Sequence, residues 1–231
     1  MKQINLTLYT FDELPEESQK AIIERERWNI MQGCMDAYGD DYRESLKRFE
    51  EIFDVNCRDW SVDYCTSYYR FEIDKEEAFE WCRDDNGESD YLELSSLKGT
   101  LLVRYLQNQI LPYITKGKYF GKLIGAYPNA KHVKRYSKVM FDVDCPMTGT
   151  CYDNYLLYPL FEYLKQPDQA ITYENLMDKC LSSFFDEWHK EYEYWADDEN
   201  AIRDELHNNQ YENQLYHKNG DEYNGPLEDA A

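Results

Sequence analysis

Carboxylates dominate the chemistry that this sequence can do. Asp84, Asp85, Glu88 and Asp90 crowd one short stretch, and Asp197, Asp198 and Glu199 follow one another in a second. Carboxylates spread over a folded surface can imitate the phosphates of a duplex and occupy the basic groove of a nuclease, with fast, salt-sensitive association. The first stretch also comes close to a calcium loop. On a twelve-residue template from Cys82 to Glu93, Asp84, Asn86, Gly87, Asp90 and Glu93 fill positions three, five, six, nine and twelve. The match fails at position one, where Cys82 replaces the first carboxylate, and at position eight, where Ser89 replaces an aliphatic residue. The stretch therefore reads as an Asx-rich turn, and no metal or other cofactor is expected. His189 and Glu193 stand four apart, a spacing at which a helix could let them share a proton or a metal. No G-x-S-x-G, P-loop, H-E-x-x-H or G-x-G-x-x-G pattern occurs. The seven cysteines form no C-x-x-C pair and have no histidine at zinc spacing, so they read as reduced thiols. A binding protein is expected rather than an enzyme.

One segment has the opposite charge. Between Leu94 and Phe141 there are nine basic residues and no acidic one. Lys116, Lys118, Lys122, Lys131, Lys134, Arg135 and Lys138 are interleaved there with Tyr119, Phe120, Tyr127 and Tyr136. Basic groups neutralise phosphates and aromatic faces stack on bases, so this mixture suits nucleic acid. It equally suits an internal counter-charge packed among acidic segments. Residues 1–93 carry −14, residues 94–141 carry +9, and residues 142–231 carry −16. The total of −21 excludes binding to bare nucleic acid through the overall field. No run of about 18 apolar residues is present to span a membrane. The N-terminus lacks the apolar region of a secretory signal, which places the expected location in the cytoplasm. The 22 Tyr and 5 Trp argue for a folded chain despite the high charge, and suit a surface that binds protein.

The elements that carry these groups follow from hydrophobic period. Ile4, Leu6 and Leu8 alternate as a strand. A helix opens at Leu14-Pro15-Glu16-Glu17 and is expected to reach Met31 and stop at Gly33, with a second helix over Asp41 to Phe53. Trp60, Val62 and Tyr64 alternate, and Tyr69, Phe71 and Ile73 resume on the other parity, so a turn or bulge lies near Ser67. Lys75 to Cys82 reads as a short helix. Tyr91 to Ile114 is apolar-periodic, weakened at Gly99, and Lys116 to Asn129 is the most loop-like segment. Val139, Phe141 and Val143 alternate as a strand. Helices follow over Asp153 to Leu164, from an N-cap at Thr172, and over Glu199 to His207. Tyr211 to Tyr223 reads as a hairpin on Asn219-Gly220, and residues 224–231 are expected to fray. The sum is an α+β protein, mostly helical with a small antiparallel sheet, in a single domain over 1–231.

Several stretches resemble a family of uncharacterised proteins from phages and mobile elements of gut bacteria, some of them labelled antitoxins of toxin–antitoxin systems. Residues Tyr9-Thr10-Phe11-Asp12-Glu13-Leu14-Pro15 are similar to its usual start. So are Cys145-Pro146-Met147-Thr148-Gly149-Thr150-Cys151-Tyr152-Asp153 with Leu157-Tyr158-Pro159, and near the C-terminus Lys190-Glu191-Tyr192-Glu193-Tyr194 with Asp198-Glu199-Asn200-Ala201-Ile202. Many relatives carry a Gln-Gly-Asp-Gly turn where Tyr64-Cys65-Thr66-Ser67 stands here, so nothing tied to that turn carries over. The resemblance implies a mobile-element setting in a bacterial cytoplasm and supplies no catalytic residues. By association it implies an inhibitor of a host nucleic-acid enzyme, of anti-CRISPR or anti-restriction type. Its partner would be a host nuclease or nucleoprotein complex, met through Asp84, Asp85, Glu88, Asp90, Asp197, Asp198 and Glu199. The alternative is an antitoxin-like module that contacts nucleic acid through the basic window.

Overall fold

Helix α1 (Glu16–Phe53) opens with Glu16 and Glu17 at the positive end of its dipole and runs for 38 residues. It does not stop at Gly33, and no second helix starts at Asp41. A helical glycine costs about 1 kcal/mol relative to alanine. Ile30, Met31, Cys34 and Met35 are all buried around it, and burying a side chain of that size contributes about 1.5–3 kcal/mol. The apolar stripe therefore outweighs the glycine. The computed structural model describes residues 6–74, 77–83, 89–114, 121–124, 131–133, 145–207 and 213–225, with the backbone alone for 77–83, 89–91, 121–124 and 131–133. The strand expected at Val139 to Val143 lies outside these residues.

Antiparallel hairpins follow. Strands β1 (Val55–Val62) and β2 (Ser67–Ile73) pair from Val55↔Ile73 to Val62↔Ser67, with a bulge between Cys57 and Asp59. The turn between them is held by Asp63, whose carboxylate accepts from the backbone N–H groups of Cys65 at 2.7 Å and Thr66 at 2.9 Å. The helix expected over Lys75 to Cys82 is instead strand β3 (Glu77–Arg83), paired with β4 (Ser89–Glu93). So short a helix is marginal alone, whereas the alternation of Phe79 and Trp81 with Glu80 and Cys82 suits a ladder. The apolar-periodic segment accordingly divides, and α2 (Gly99–Tyr105) begins only at Gly99. Gly99 has φ 56°, a left-handed conformation that glycine adopts without a Cβ penalty, so it starts the helix rather than weakening one. A π-turn over Leu106–Ile110 joins α2 to α3 (Leu111–Ile114). A third pair, β5 (Gly121–Ile124) with β6 (Lys131–Val133), places a strand inside the segment expected to be loop. Helices α4 (Asp153–Lys165), α5 (Tyr173–Asp197) and α6 (Glu199–His207) match their expected spans closely. Thr172 caps α5, its hydroxyl accepting from Asn175 N–H at 3.2 Å. The fold is α+β, mostly helical.

The chain forms two compact units. A terminal unit comprises Met1–Tyr38 and Lys190–Ala231, and a central unit comprises Gly39–His189. The terminal unit buries Phe11, Leu14, Ile22, Ile23 and Ile30 with Ile202, Leu206 and Tyr216. Leu6 and Leu8 do not form the expected strand; Tyr9 alone bridges to Tyr216, through two backbone bonds of 2.9 Å. In its described part the expected terminal hairpin is present: Tyr216 bridges Glu222 around Asn219-Gly220, the His217 N–H donates to the Asp221 carbonyl and the Tyr223 N–H to the Leu215 carbonyl, both at 2.8 Å, while residues 211–212 lie outside the described residues. In the central unit Tyr42 lies between Tyr152, at a ring-centroid distance of 3.8 Å, and Trp188, at 4.7 Å. Hairpin β1–β2 docks on the same face of α5 through Trp60, 5.2 Å from Trp188, and Tyr69, 5.0 Å from Phe185.

The motif Cys145 to Asp153 folds around a buried carboxylate. Asp153 is fully buried. Its Oδ2 accepts from the backbone N–H groups of Met147 and Thr148, both at 2.7 Å. Its Oδ1 accepts from Ser45 Oγ at 2.9 Å and Thr148 Oγ1 at 2.8 Å. Four donors satisfy the carboxylate, so this Ser–Thr–Asp group is a structural pin between α1 and the start of α4 rather than a nucleophilic site. Asp153→Ala leaves those donors buried and unmet, and the expected loss is about 3 kcal/mol or more, read from urea unfolding. A loss under about 1 kcal/mol contradicts the role.

Candidate functional site

The second acidic run sits at the α5–α6 junction of the terminal unit. Asp197 closes α5, Asp198 separates the helices, and Glu199 opens α6. Asp198 is already engaged. Its Oδ1 accepts from Asn200 N–H at 2.8 Å and Ala201 N–H at 3.3 Å, which makes it the N-cap of α6. Asp197 and Glu199 are exposed. Both act on Arg27. Its guanidinium is pushed up first by the hydrogen bond to Glu24, against the cost of desolvation, and then by the charges of Asp197 and Glu199. Arg27 also donates to the Ala196 carbonyl in the last turn of α5, where the helix dipole is negative. With its side chain only 14% exposed, Arg27 is the internal anchor of the acidic surface. Sequence reasoning passed over it, although Glu24-Arg25-Glu26-Arg27 is an alternating run in a region short of cations.

The other arginines of this unit are committed in the same way. Arg25 pairs with Glu26 at 2.8 Å and Glu222 at 3.0 Å and donates to the Gly220 carbonyl at 3.1 Å. Arg203 donates to Gln19 Oε1 at 2.9 Å, its guanidinium carbon 5.8 Å from the centre of the Phe11 ring. Lys20 pairs with Glu16 at 2.8 Å. The unit holds 19 acidic residues against seven basic ones, so carboxylates remain in excess once these pairs are made. Exposed aromatics accompany them. Trp28 stands one helical turn after Glu24, Tyr194 stands three residues before Asp197, and Tyr38 is exposed further along α1. Burial, together with the Glu205 charge, holds the Cys34 thiol up at about 11, so it is not a nucleophile at neutral pH.

The remaining candidates divide. Asp84, Asp85, Asn86 and Glu88 lie outside the described residues. Asp90 and Glu93 lie on β4, where they pair with Cys82 and Glu77 of β3. A calcium loop is flanked by helices, so these flanking strands overturn the template match. Among the described residues no group of three His, Cys, Asp or Glu side chains could hold a metal ion. His189 presents Nδ1 to the Asp63 carbonyl at 2.8 Å, which fastens the β1–β2 turn. Lys122 lies on β5 and Lys131 on β6, which brings those two to one hairpin. Lys116, Lys118, Lys134, Arg135 and Lys138 lie outside the described residues. The six cysteines whose side chains are described, Cys145 and Cys151 among them, form no disulfide. Among the described residues no helix is long and apolar enough to cross a membrane. No protein-family model, curated protein or solved structure matches the chain.

One titratable group links the surface to pH. His207 donates toward the Arg203 carbonyl and lies 2.6 Å from Asp12 Oδ1 through Nε2. The carbonyl bond first, and the Asp12 bond second, raise its pKa above the ordinary 6.5. A raised folded-state pKa contributes stability that is fully present below the unfolded value and is lost as pH rises through the folded one. The terminal unit is therefore expected to weaken above neutral pH, and His207→Gln to abolish that part of the profile. A His207 titration by NMR with a midpoint below 6.5 contradicts this.

Proposed function

We propose that this chain is a non-enzymatic, phage-type acidic protein that binds and inhibits a host nucleic-acid-processing defence enzyme in the bacterial cytoplasm. The reading rests on one observation: the described arginines of the terminal unit are committed inside it, and carboxylates and exposed aromatics remain outside. Such a surface is complementary to the basic groove in which a nuclease holds its substrate. Long-range attraction would speed the encounter and make it salt-dependent. Trp28, Tyr38 and Tyr194 would supply the large amphipathic contacts that interfaces favour. The contact set is Asp197 and Glu199 with Trp28, while Asp198 serves as the cap of α6. The acidic stretch at Asp84, Asp85, Glu88 and Asp90 is a second contact of the same kind on the central unit.

The test is capture from a bacterial host followed by cleavage assay. The wild-type chain is expected to retain a nuclease or restriction complex at low salt and to block its DNA cleavage. The double variant Asp197→Lys/Glu199→Lys, folded as judged by circular dichroism, is expected to bind about ten-fold or more weakly. Unchanged inhibition by that variant sinks the reading. So does tight, steeply salt-dependent DNA or RNA binding by the isolated chain, which would favour an antitoxin-like role for the basic window.

A further inference from the structure

A second site lies in the central unit, at the carboxyl end of α1. A cavity of about 340 Å³ is lined by Arg48, Glu51, Asp54, Tyr105, Gln109 and Tyr113. Two local irregularities meet there. Asp54 leaves α1 with φ 51°, in the left-handed region where glycine is usual after a helix. A glycine would serve that turn with less strain, whereas aspartate also brings a carboxylate into the cavity wall. The π-turn Leu106–Ile110, a rare feature that concentrates at functional sites, carries Gln109. Tyr105 and Tyr113 stand four residues to either side of it.

The charges of the lining define the ligand. Arg48 and Glu51 neutralise each other at 2.8 Å. Among the described residues the Asp54 carboxylate receives only a long contact, 3.5 Å, from the Tyr105 hydroxyl. Burial, aided by the Asp54 charge, keeps that phenol protonated. One negative charge is left over, and the carbonyl end of a 38-residue helix adds to it. Tyr113 lines the cavity and is 58% exposed, and an aromatic ring at such a position can meet a cation. The volume is at the low end for ligand sites, which run from about 300 to 1,000 Å³. It admits a short alkyl chain with one charged head and is too small for a nucleotide.

We propose that this cavity binds an alkylammonium or alkylguanidinium group, with Asp54 as counter-ion, the Gln109 side-chain carbonyl as acceptor and Tyr113 as aromatic wall. The group belongs either to a free small amine or to a lysine or arginine of a partner. The site uses the central unit alone and does not depend on the acidic surface of the terminal unit. The test titrates butylammonium, butylguanidinium and the blocked tripeptide acetyl-Gly-Arg-Gly-amide into nitrogen-15-labelled protein at low salt, with acetate as the anionic control. Saturable shifts are expected at the Gln109 side-chain amide and the Asp54 backbone amide with the cations and not with acetate. A free-amine site favours the butyl cations, and a side-chain site favours the tripeptide. Asp54→Asn keeps a residue that tolerates the left-handed turn and is expected to weaken binding about ten-fold or more. Should that variant fail to fold, Gln109→Ala is expected to weaken binding about three-fold or more. Absence of saturable shifts with every cation, or unchanged affinity in the folded variant, overturns the proposal.

Discussion

Repulsion among carboxylates is the constraint on which the rest of this structure depends. A chain with 46 acidic and 25 basic residues must fold against its own field. The terminal unit meets that constraint at its sharpest, and its arginines show how. Arg27 joins Glu24 to the carbonyl end of α5, Arg25 ties Glu26 to the segment around Gly220, and Arg203 rests on Phe11. Each holds two stretches distant in sequence, so the cations act as internal clamps. What the unit turns outward is richer in carboxylates than in cations, with exposed aromatics among them. In this sense the acidic surface follows from the way the fold is held together.

The central unit solves a different problem. It contains the basic window as well as acidic stretches, and its interior combines aliphatic side chains such as Leu94, Leu97, Leu156 and Leu160 with stacked aromatics and the buried carboxylate of Asp153. Tyr42, Tyr152 and Trp188 make a face-to-face column. Asp153 fixes the turn that presents Tyr152 to that column. A buried charge is tolerated here because four donors surround it, in keeping with the high cost of leaving such a group unmet. The Cys145–Asp153 motif is therefore legible as architecture, and its Thr148 and Asp153, with Ser45 of α1, need no catalytic explanation.

The sequence was most informative where local and tertiary signals agree. Thr172 is a cap residue placed directly before an apolar-periodic run, and α5 begins where that cap predicts. The parity change between Trp60–Tyr64 and Tyr69–Ile73 located the β1–β2 turn. It misled where a local signal opposed the packing. Gly33 reads as a stop, but the buried stripe through Ile30, Cys34 and Met35 carries α1 past it. Residues 75–82 have helix-forming composition, but a strand partner in β4 decides the state of Glu77 onward. For the candidate site, the acidic run at 197–199 was visible as charge, whereas the capping role of Asp198 and the anchoring role of Arg27 depend on contacts that spacing does not reveal. The cavity at Asp54 had no signature at all, because it arises where the end of one helix meets a π-turn more than fifty residues later.

The central claim is that the terminal unit is held by a few clamping arginines against a net excess of negative charge. The most direct measurement is its thermal unfolding, followed through the α6 amides by NMR, as sodium chloride rises from about 0.02 M to about 0.5 M. Screening shortens the Debye length several-fold over that range. Half-buried clamps are screened less than exposed repulsions, so the melting temperature is predicted to rise with salt. A melting temperature that falls with salt would mean that exposed ion pairs hold the unit together, and would contradict the claim.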